Sequence, residues 1–411
     1  MDAEIIAIGS ELLTPHRLDT NSLWLTEKLN SLGISVLRKV VVGDDRLHLR
    51  AAFEEALMRA DLVIGMGGLG PTEDDVTREA VAELLGRKLE YHPDILAKIQ
   101  ERFRARGKKM PAVNERQAML PEGAIVLDNE NGTAPGLWLE EKGKQILLLP
   151  GPPHELKPMF EQYCLGRLKE SAPKQVILTR IFKLVGLTES ETEEKIGPVY
   201  KPYTNATTTL LASPGEIQVH LKAVGENREK LERELDQLAD QIEEALGDFV
   251  FACGNETLEQ VVGMYLMMRG ATLAVAESCT GGLIAQRLTE VPGSSNYFVG
   301  GVVCYSDKLK VKLVGLSEKL LKQKGAVSEE VTVALARGIR RQTRATLGLS
   351  ITCIAGPGGG MPHKPVGTTF IALAEAHREW SERHCFLGDR ERVRWQASQA
   401  ALDLVRRKLM R

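Results

Sequence analysis

Four short apolar runs, each ending in a glycine-bearing turn that leads toward a helical pattern, constrain the fold of this chain more than any other feature. Ile5–Ile8 runs into Gly9-Ser10-Glu11, Asp61–Met66 into Gly67-Gly68-Leu69-Gly70-Pro71, Ala271–Ala276 into Glu277-Ser278-Cys279-Thr280-Gly281-Gly282, and Leu349–Ile354 into Ala355-Gly356-Pro357-Gly358. Runs of that length read as buried strands, whereas Leu283, Ile284 and Leu288 after the third turn carry helical spacing. The alternation predicts βαβ units, largely parallel sheets and ligands held beyond the carboxyl ends of the strands.

A chain of 411 residues exceeds one ordinary core, so two or three domains are expected. With 43% hydrophobic and 26% charged residues and a formal net charge of -2, it reads as a soluble globular protein without the field that recruits nucleic acid or an anionic membrane. The opening residues lack a basic leader region, and no apolar run approaches the ~20 residues needed to span a bilayer, so a cytoplasmic location is expected. Cysteines 164, 253, 279, 304, 353 and 385 are scattered without zinc-like spacing, and reduced, mostly buried thiols are expected.

Ser278 stands on a predicted strand-to-helix turn. That position exposes a hydroxyl and offers the N–H groups of Thr280, Gly281 and Gly282 to an anion at a helix start, the layout a nucleophile and oxyanion hole require. A helix cap followed by a glycine turn uses the same residues. Downstream, strand Gly301–Tyr305 is expected to deliver Tyr305 near Lys308, Lys310 and Lys312, one of which can serve as base if it points inward. Gly325–Glu329 reads as a helix start capped by Ser328, and Gly388-Asp389-Arg390 precedes a helix bearing Arg392 and Arg394, forks suited to phosphate.

In the first third, the Gly67–Pro71 turn is followed by Glu73, Asp74 and Asp75. Three acids beside a phosphate-type loop suggest a bridging cation, and equally suit the positive end of a helix. Further loops carry Asn114–Gln117, Asn131–Gly136 and Pro150–Glu155, and loops on a sheet scaffold are where sites are built.

Gly67–Pro71 with Asp75-Val76-Thr77 resembles the molybdopterin-binding fold of MoaB and MogA proteins, and Leu149-Pro150-Gly151-Pro152-Pro153-His154-Glu155 is similar to the same fold in the CinA family. The resemblance covers essentially the whole chain. It implies an α/β architecture of three parts: a MoaB/MogA-like domain over 1–168, a small α+β KH-type domain over 169–253, and an α/β C-terminal domain over 254–411. The first domain of that family is associated with hydrolysis of ADP-ribose at its pyrophosphate, with a divalent cation of the Mg, Mn or Co type. On this basis Gly9, Glu11, Asp19, Asn21, Gly67, Gly68, Gly70, Thr72, Gly151 and Pro152 are the expected nucleotide contacts, and Asp74, Asp75 and Glu155 the metal ligands. Where the family usually has a glycine after Glu-Leu-Leu, this chain reads Thr14-Pro15-His16-Arg17-Leu18, a stiffer loop that implies a slow reaction. The middle segment contains no Gly-x-x-Gly tetrad and has acidic helices, which implies a spacer or dimerisation element rather than an RNA clamp.

Glu277–Gly282, Tyr305-Ser306 with Lys310, Gly325–Glu329, Ile354–Gly358 and Gly388–Arg390 resemble the PncC module, nicotinamide-mononucleotide deamidase. The resemblance implies metal-free hydrolysis of nicotinamide mononucleotide to nicotinic acid mononucleotide and ammonia. Ser278 is then the nucleophile, Lys310 and Tyr305 the base system, and Thr280, Gly281, Gly282, Ala355, Gly356, Pro357, Gly358, Arg390 and Arg394 the substrate contacts. The lysine is matched by its spacing of five from the tyrosine, and Lys308 stays open as the alternative. The expected partners are these small nucleotides and a second copy of the chain. Two other classes are weighed against this enzyme: a pterin- or nucleotide-binding protein, and a competence or DNA-damage partner, for which the near-neutral charge offers no support.

Overall fold

The computed structural model describes residues 1–410. It divides into two compact units, Met1–Leu178 with Val224–Leu231, and Thr179–Ala223 with Glu232–Arg411.

The first unit is built on a six-stranded sheet in the order Ser35–Val42, Asp2–Ile8, Leu62–Met66, Lys144–Leu149, Gly136–Glu141, Ile125–Leu127. The first four strands are parallel, Gly136–Glu141 runs against them, and Ile125–Leu127 pairs antiparallel with Gly136–Glu141. Side chains alternate across the sheet as the pleat demands. Ile6, Ile8, Val63, Ile146 and Leu148 pack against helices Arg46–Arg59, Thr77–Leu84 and Pro93–Ala105. Ile5, Ala7, Ile64, Leu147 and Leu149 pack on the other face against Leu25 and Leu29 of helix Asn21–Ser31 and against Leu156 and Phe160. Strand Asp2–Ile8 connects to one neighbour, and the chain then crosses to the other, so the crevice between the ends of Asp2–Ile8 and Leu62–Met66 is a topological switch point.

In the second unit, a four-stranded sheet runs Ala206–Ser213, Glu216–Gly225, Val176–Leu184, Val250–Ala252. Helix Glu189–Tyr200 is started by a capping box between Thr188 and Glu191. The C-terminal sheet runs Phe298–Val303, Leu273–Glu277, Leu347–Cys353, Thr368–Ala374, Glu379–Cys385. Its first three strands are parallel, Thr368–Ala374 runs against them, and Glu379–Cys385 pairs antiparallel with Thr368–Ala374. Leu273 and Val275 face a core shared with helices Leu258–Met268 and Arg390–Met410, while Ala274 and Ala276 face Val331, Leu335 and Ile339 of helix Glu329–Thr343. The same switch-point logic applies: Leu273–Glu277 lies between two parallel neighbours reached by opposite crossings.

Three sequence expectations are corrected here. The strand expected over Gly301–Tyr305 runs instead from Phe298 to Val303, because the last ladder bond, from Cys304 N–H to the Glu277 carbonyl at 2.8 Å, precedes Tyr305. Ser328 stands at the start of helix Glu329–Thr343, yet its hydroxyl donates backward to the Gly325 carbonyl at 2.9 Å instead of capping the helix. Finally, Cys279 and Cys353 form a disulfide, and of the other four cysteines only Cys164 and Cys304 are buried. The two bonded residues are 74 apart in sequence, but each lies at the end of a strand paired with the other's, an adjacency that only the sheet creates.

Candidate active site

The Ser278 turn is built from its preceding residue. Glu277 closes an otherwise apolar strand, is 1% exposed, and its carboxylate accepts N–H groups from Gly282 at 3.0 Å, Ile284 at 3.2 Å and Ala285 at 2.8 Å. Charge-assisted bonds of this kind are about twice as strong as neutral ones, and they satisfy the orphan donors of helix Leu283–Thr289. The Gly281 N–H donates to the Ser278 carbonyl at 3.2 Å. The N–H groups of Gly281 and Gly282, expected to face an anion, are therefore occupied within the turn. Among the described residues the N–H groups of Cys279 and Thr280 make no hydrogen bond, and neither does the Ser278 hydroxyl.

Arg394 fixes the orientation of one of those free amides, that of Thr280. Its guanidinium donates to the carbonyls of Cys279 at 3.0 Å and Thr280 at 2.7 Å. In a planar trans peptide the N–H points opposite its carbonyl, so the Thr280 N–H is turned away from Arg394. The Thr280 side chain is fully buried, and its hydroxyl oxygen has no partner. Arg394, read from sequence as a phosphate fork, holds backbone instead, and Arg392 lies on another face of its helix.

The neighbouring strand ends supply the rest. Of the lysines after Tyr305, Lys308 and Lys312 are exposed, whereas Lys310 is 2% exposed. Its amine donates to the Tyr305 carbonyl at 3.0 Å and lies 3.4 Å from an Asp307 carboxylate oxygen. Ser306 caps helix Asp307–Val314, which carries Lys310, through the Leu309 N–H. The Tyr305 ring is 60% exposed, and its hydroxyl accepts from Arg390 at 3.1 Å, while the same guanidinium donates to the Gly356 carbonyl at 2.8 Å. Ala355 and Gly356 are buried, and Pro357, after a cis bond, and Gly358 are exposed. Arg390 thus ties the turn after Leu347–Cys353 to the residue after Phe298–Val303. Neither Tyr305 nor Lys310 is hydrogen-bonded to Ser278 in this state.

In the first unit, a cleft of about 370 Å³ gathers Gly9, Glu11, Gly67, Gly68, Gly70, Asp74, Asp75, Gly151, Pro152 and Glu155, along with Asp44 and Gln117. Gly67 and Gly68 have φ of 109° and 64°, and a Cβ on them would collide with the Ile8 carbonyl and the Thr77 hydroxyl, so the turn requires both glycines. Behind it, the buried guanidinium of Arg78 donates to the Leu69 and Gly70 carbonyls. Asp19 and Asn21 line an adjoining hollow of about 400 Å³ that shares Glu11, Gly151 and Pro152. There the Asn21 amide donates to the Gly151 carbonyl at 2.7 Å, and Asp19 accepts the Ser22 N–H at 3.0 Å. Thr72 is not part of the cleft wall; its N–H and hydroxyl bind Asp75. The polar Thr72 side chain nearby and its own backbone N–H hold the exposed Asp74 carboxyl below its ordinary range.

The oxygen-rich donor set of this cleft suits a hard divalent cation. Among the described residues, however, no group of three or more His, Cys, Asp or Glu side chains is placed to hold a metal ion, so Asp74, Asp75 and Glu155 do not form a closed cage. Asp75 is bonded to Thr72, and Glu155 accepts from Asn129 at 2.7 Å. The arrangement fits a cation taken by one or two carboxylates and completed by phosphate oxygens and water, the usual habit of magnesium.

Sequence reasoning passed over Glu277, Arg78 and Asp44. An acid that ends an apolar strand just before a helix-entering turn is a readable sign of a buried cap, so Glu277 could have been found. Arg78 and Asp44 carry no local signal, because their partners lie on other loops.

Three families of known proteins match successive parts of the chain. The family described as "CinA C-terminal domain" matches residues 255–409, that described as "Probable molybdopterin binding domain" matches 4–170, and the "Damage-inducible protein CinA KH domain" matches 179–252. A CinA-like protein of Koribacter versatilis is 49% identical over 100% of both chains, and one of Solibacter usitatus is 50% identical over 100% of this chain and 98% of its own. Among solved structures, a competence/damage inducible protein of Agrobacterium tumefaciens is 32% identical, covering 38% of this chain and 94% of its own, with a TM-score of 0.36. No helix among the described residues is long and apolar enough to cross a membrane.

Proposed function

The chain belongs to the CinA family, and from that premise we propose that its C-terminal domain is an amidohydrolase that converts nicotinamide mononucleotide to nicotinic acid mononucleotide and ammonia. The observation that carries the proposal is the meeting of three parallel strand ends: a free Ser278 hydroxyl beside two unpartnered amides, a buried lysine, and Arg390 bridging Tyr305 to Gly356. In this reading the Ser278 oxygen attacks the carboxamide carbon while Lys310 takes the hydroxyl proton. The oxyanion is met by the Cys279 and Thr280 N–H groups, the second of which Arg394 keeps oriented through the Cys279 carbonyl. Collapse breaks the C–N bond, the proton on Lys310 goes to the leaving nitrogen, and ammonia departs. Water then hydrolyses the acyl ester and frees Ser278. The test is ammonia release from nicotinamide mononucleotide by the purified full chain, with Ser278→Ala as the control that loses it.

For the first domain we propose divalent-metal-dependent hydrolysis of the ADP-ribose pyrophosphate. Asp74, Asp75 and Glu155 would hold the cation, which when bound supplies charge neutralisation and an activated water. The glycine turn presents backbone to the phosphates, and Arg78 keeps that turn rigid from behind. The lack of a three-ligand group among the described residues favours a second reading, capture of a phosphate-bearing nucleotide or pterin without cleavage. Product analysis of ADP-ribose incubated with the chain and each divalent cation separates the two.

A further inference from the structure

Helix Arg390–Met410 has two faces with different destinations. Arg390 and Arg394, four residues apart, hold the backbone and tyrosine of the serine site. Arg392, Gln396, Asp403 and Arg407 repeat at helical intervals on another face and line a cleft of about 820 Å³ shared with the middle domain. That volume lies within the range of small-molecule sites. Its apolar wall includes Phe249 and Leu187 of the middle domain and Phe386 and Leu387 of the loop that leads into the helix.

The polar groups of this cleft are unequal. Arg407 binds Glu382 at 2.8 Å and Asp403 at 2.7 Å, and His384 binds Glu382 at 3.1 Å, so these charges satisfy one another. Glu216 is occupied by the amides of Gln218 and Gln399. The Arg392 guanidinium makes no hydrogen bond or ion pair among the described residues. Beside it, the Phe386 ring stacks on His384 at 5.2 Å and 8°, and Leu387 is 81% exposed. An unpaired fork next to a ring and an uncovered aliphatic side chain calls for a ligand with one flat apolar part and one anionic group.

We propose that this cleft binds a small aromatic anion, a ring bearing one carboxylate, sulfonate or phosphate, and that its occupancy alters turnover at Ser278. The coupling is mechanical: the ligand contacts the Arg392 and Gln396 face of a helix whose Arg390 and Arg394 orient the serine site, and Gln396 also ties the helix to the Leu387 carbonyl at 2.9 Å. The binding half stands apart from the deamidase reading; the effect on turnover rests on it.

The probe is 8-anilinonaphthalene-1-sulfonate, titrated into the full chain and followed by fluorescence. Saturable binding at one site is expected, weakened at least ~10-fold in Arg392→Glu and in Leu387→Asp, both exposed positions, with melting curves showing each variant folded. Non-saturating binding, or binding equally tight in both variants, overturns the site. Saturating sulfonate should change ammonia release from nicotinamide mononucleotide at least ~2-fold in the wild type and leave Arg392→Glu unmoved; an unchanged wild-type rate overturns the coupling. If the chain releases no ammonia at all, the deamidase reading fails while the site is still read by fluorescence. Amide exchange over residues 278–282 then replaces turnover, and exchange unaltered by the sulfonate overturns the coupling.

Discussion

The two crevices of this protein share a strand order and differ in charge. In each, the first strand of a parallel set lies between its two successors, and the ligand loops follow that strand and the neighbour beyond the switch. In each, an arginine behind the loop holds two consecutive carbonyls, Leu69 and Gly70 by Arg78, Cys279 and Thr280 by Arg394. The fronts diverge. The first cleft is walled by Glu11, Asp44, Asp74, Asp75 and Glu155 without a lysine or arginine among its lining residues. At the second, Lys310, Arg390 and Arg394 gather, and the nearby acid, Glu277, is bound to three amides. Topology sets where a phosphate-bearing ligand can sit, and side chains decide whether it must bring a cation with it.

The sharpest way to break that comparison is to remove the nucleophile from one crevice and watch both. Ser278→Ala should lower deamidation by at least ~10³-fold and leave any metal-dependent cleavage of ADP-ribose unchanged. Near-wild-type ammonia release would reduce Ser278 to a turn residue. Next in size is the lysine. Lys310→Ala should cost ~10²–10⁴-fold in kcat, because a buried base is lost, while the exposed Lys308 can be replaced by alanine within about twofold. Equal losses would transfer the role or dissolve it.

The first crevice is tested through its charge. Asp75→Asn keeps the volume and removes the formal charge, so ADP-ribose hydrolysis should fall at least ~10-fold and chelator should abolish it, with deamidation in the same tube untouched. Chelator-insensitive cleavage would contradict the cation reading. A smaller effect is expected at the acid of the second crevice. Glu277→Gln leaves one neutral acceptor oxygen and turns an NH2 toward the remaining N–H, and should cost about 1–2 kcal/mol of stability and roughly tenfold in kcat through a loosened turn. A change in KM alone would argue that Glu277 does not position the serine.

Much of this was legible in the sequence, and what was not has a physical cause. The apolar runs and glycine turns announce both parallel sheets, because period and punctuation are local properties. Strand Glu379–Cys385 went unseen: as an edge strand of sequence EWSERHC it carries the charges that edges use against aggregation, and these mask alternation. Ser278, Tyr305 and Lys310 could be nominated by motif, but not the partners that orient them. The contacts of Arg394 with Cys279 and Thr280 span more than 110 positions, and the Cys279–Cys353 bond spans 74. The expectation that Gly281 and Gly282 would offer free amides failed because it ignored two competing acceptors, the Ser278 carbonyl for Gly281 and the Glu277 carboxylate for Gly282.

The acids of the two units also differ in what neutralises them, and pH separates the two cases. Glu382 accepts from His384 at 3.1 Å and from Arg407 at 2.8 Å, and these bonds, the histidine's foremost, hold its carboxyl at about 2, against an ordinary value of 4.5. A carboxyl whose folded value is depressed stabilises the fold fully above its unfolded value and loses that contribution as pH falls toward the folded one. Glu382→Gln should therefore lower the melting temperature by a few degrees at pH 7, a cost of about 1–2 kcal/mol for a charge-assisted pair. The gap between variant and wild type should hold down to pH 4.5 and close between 4.5 and 2. Asp75→Asn, which removes an acid of the open cleft, should shift the melting temperature less at pH 7. A gap for Glu382→Gln that stays constant down to pH 2, or is absent at pH 7, would show that this carboxylate is no more committed to the fold than those of the first crevice.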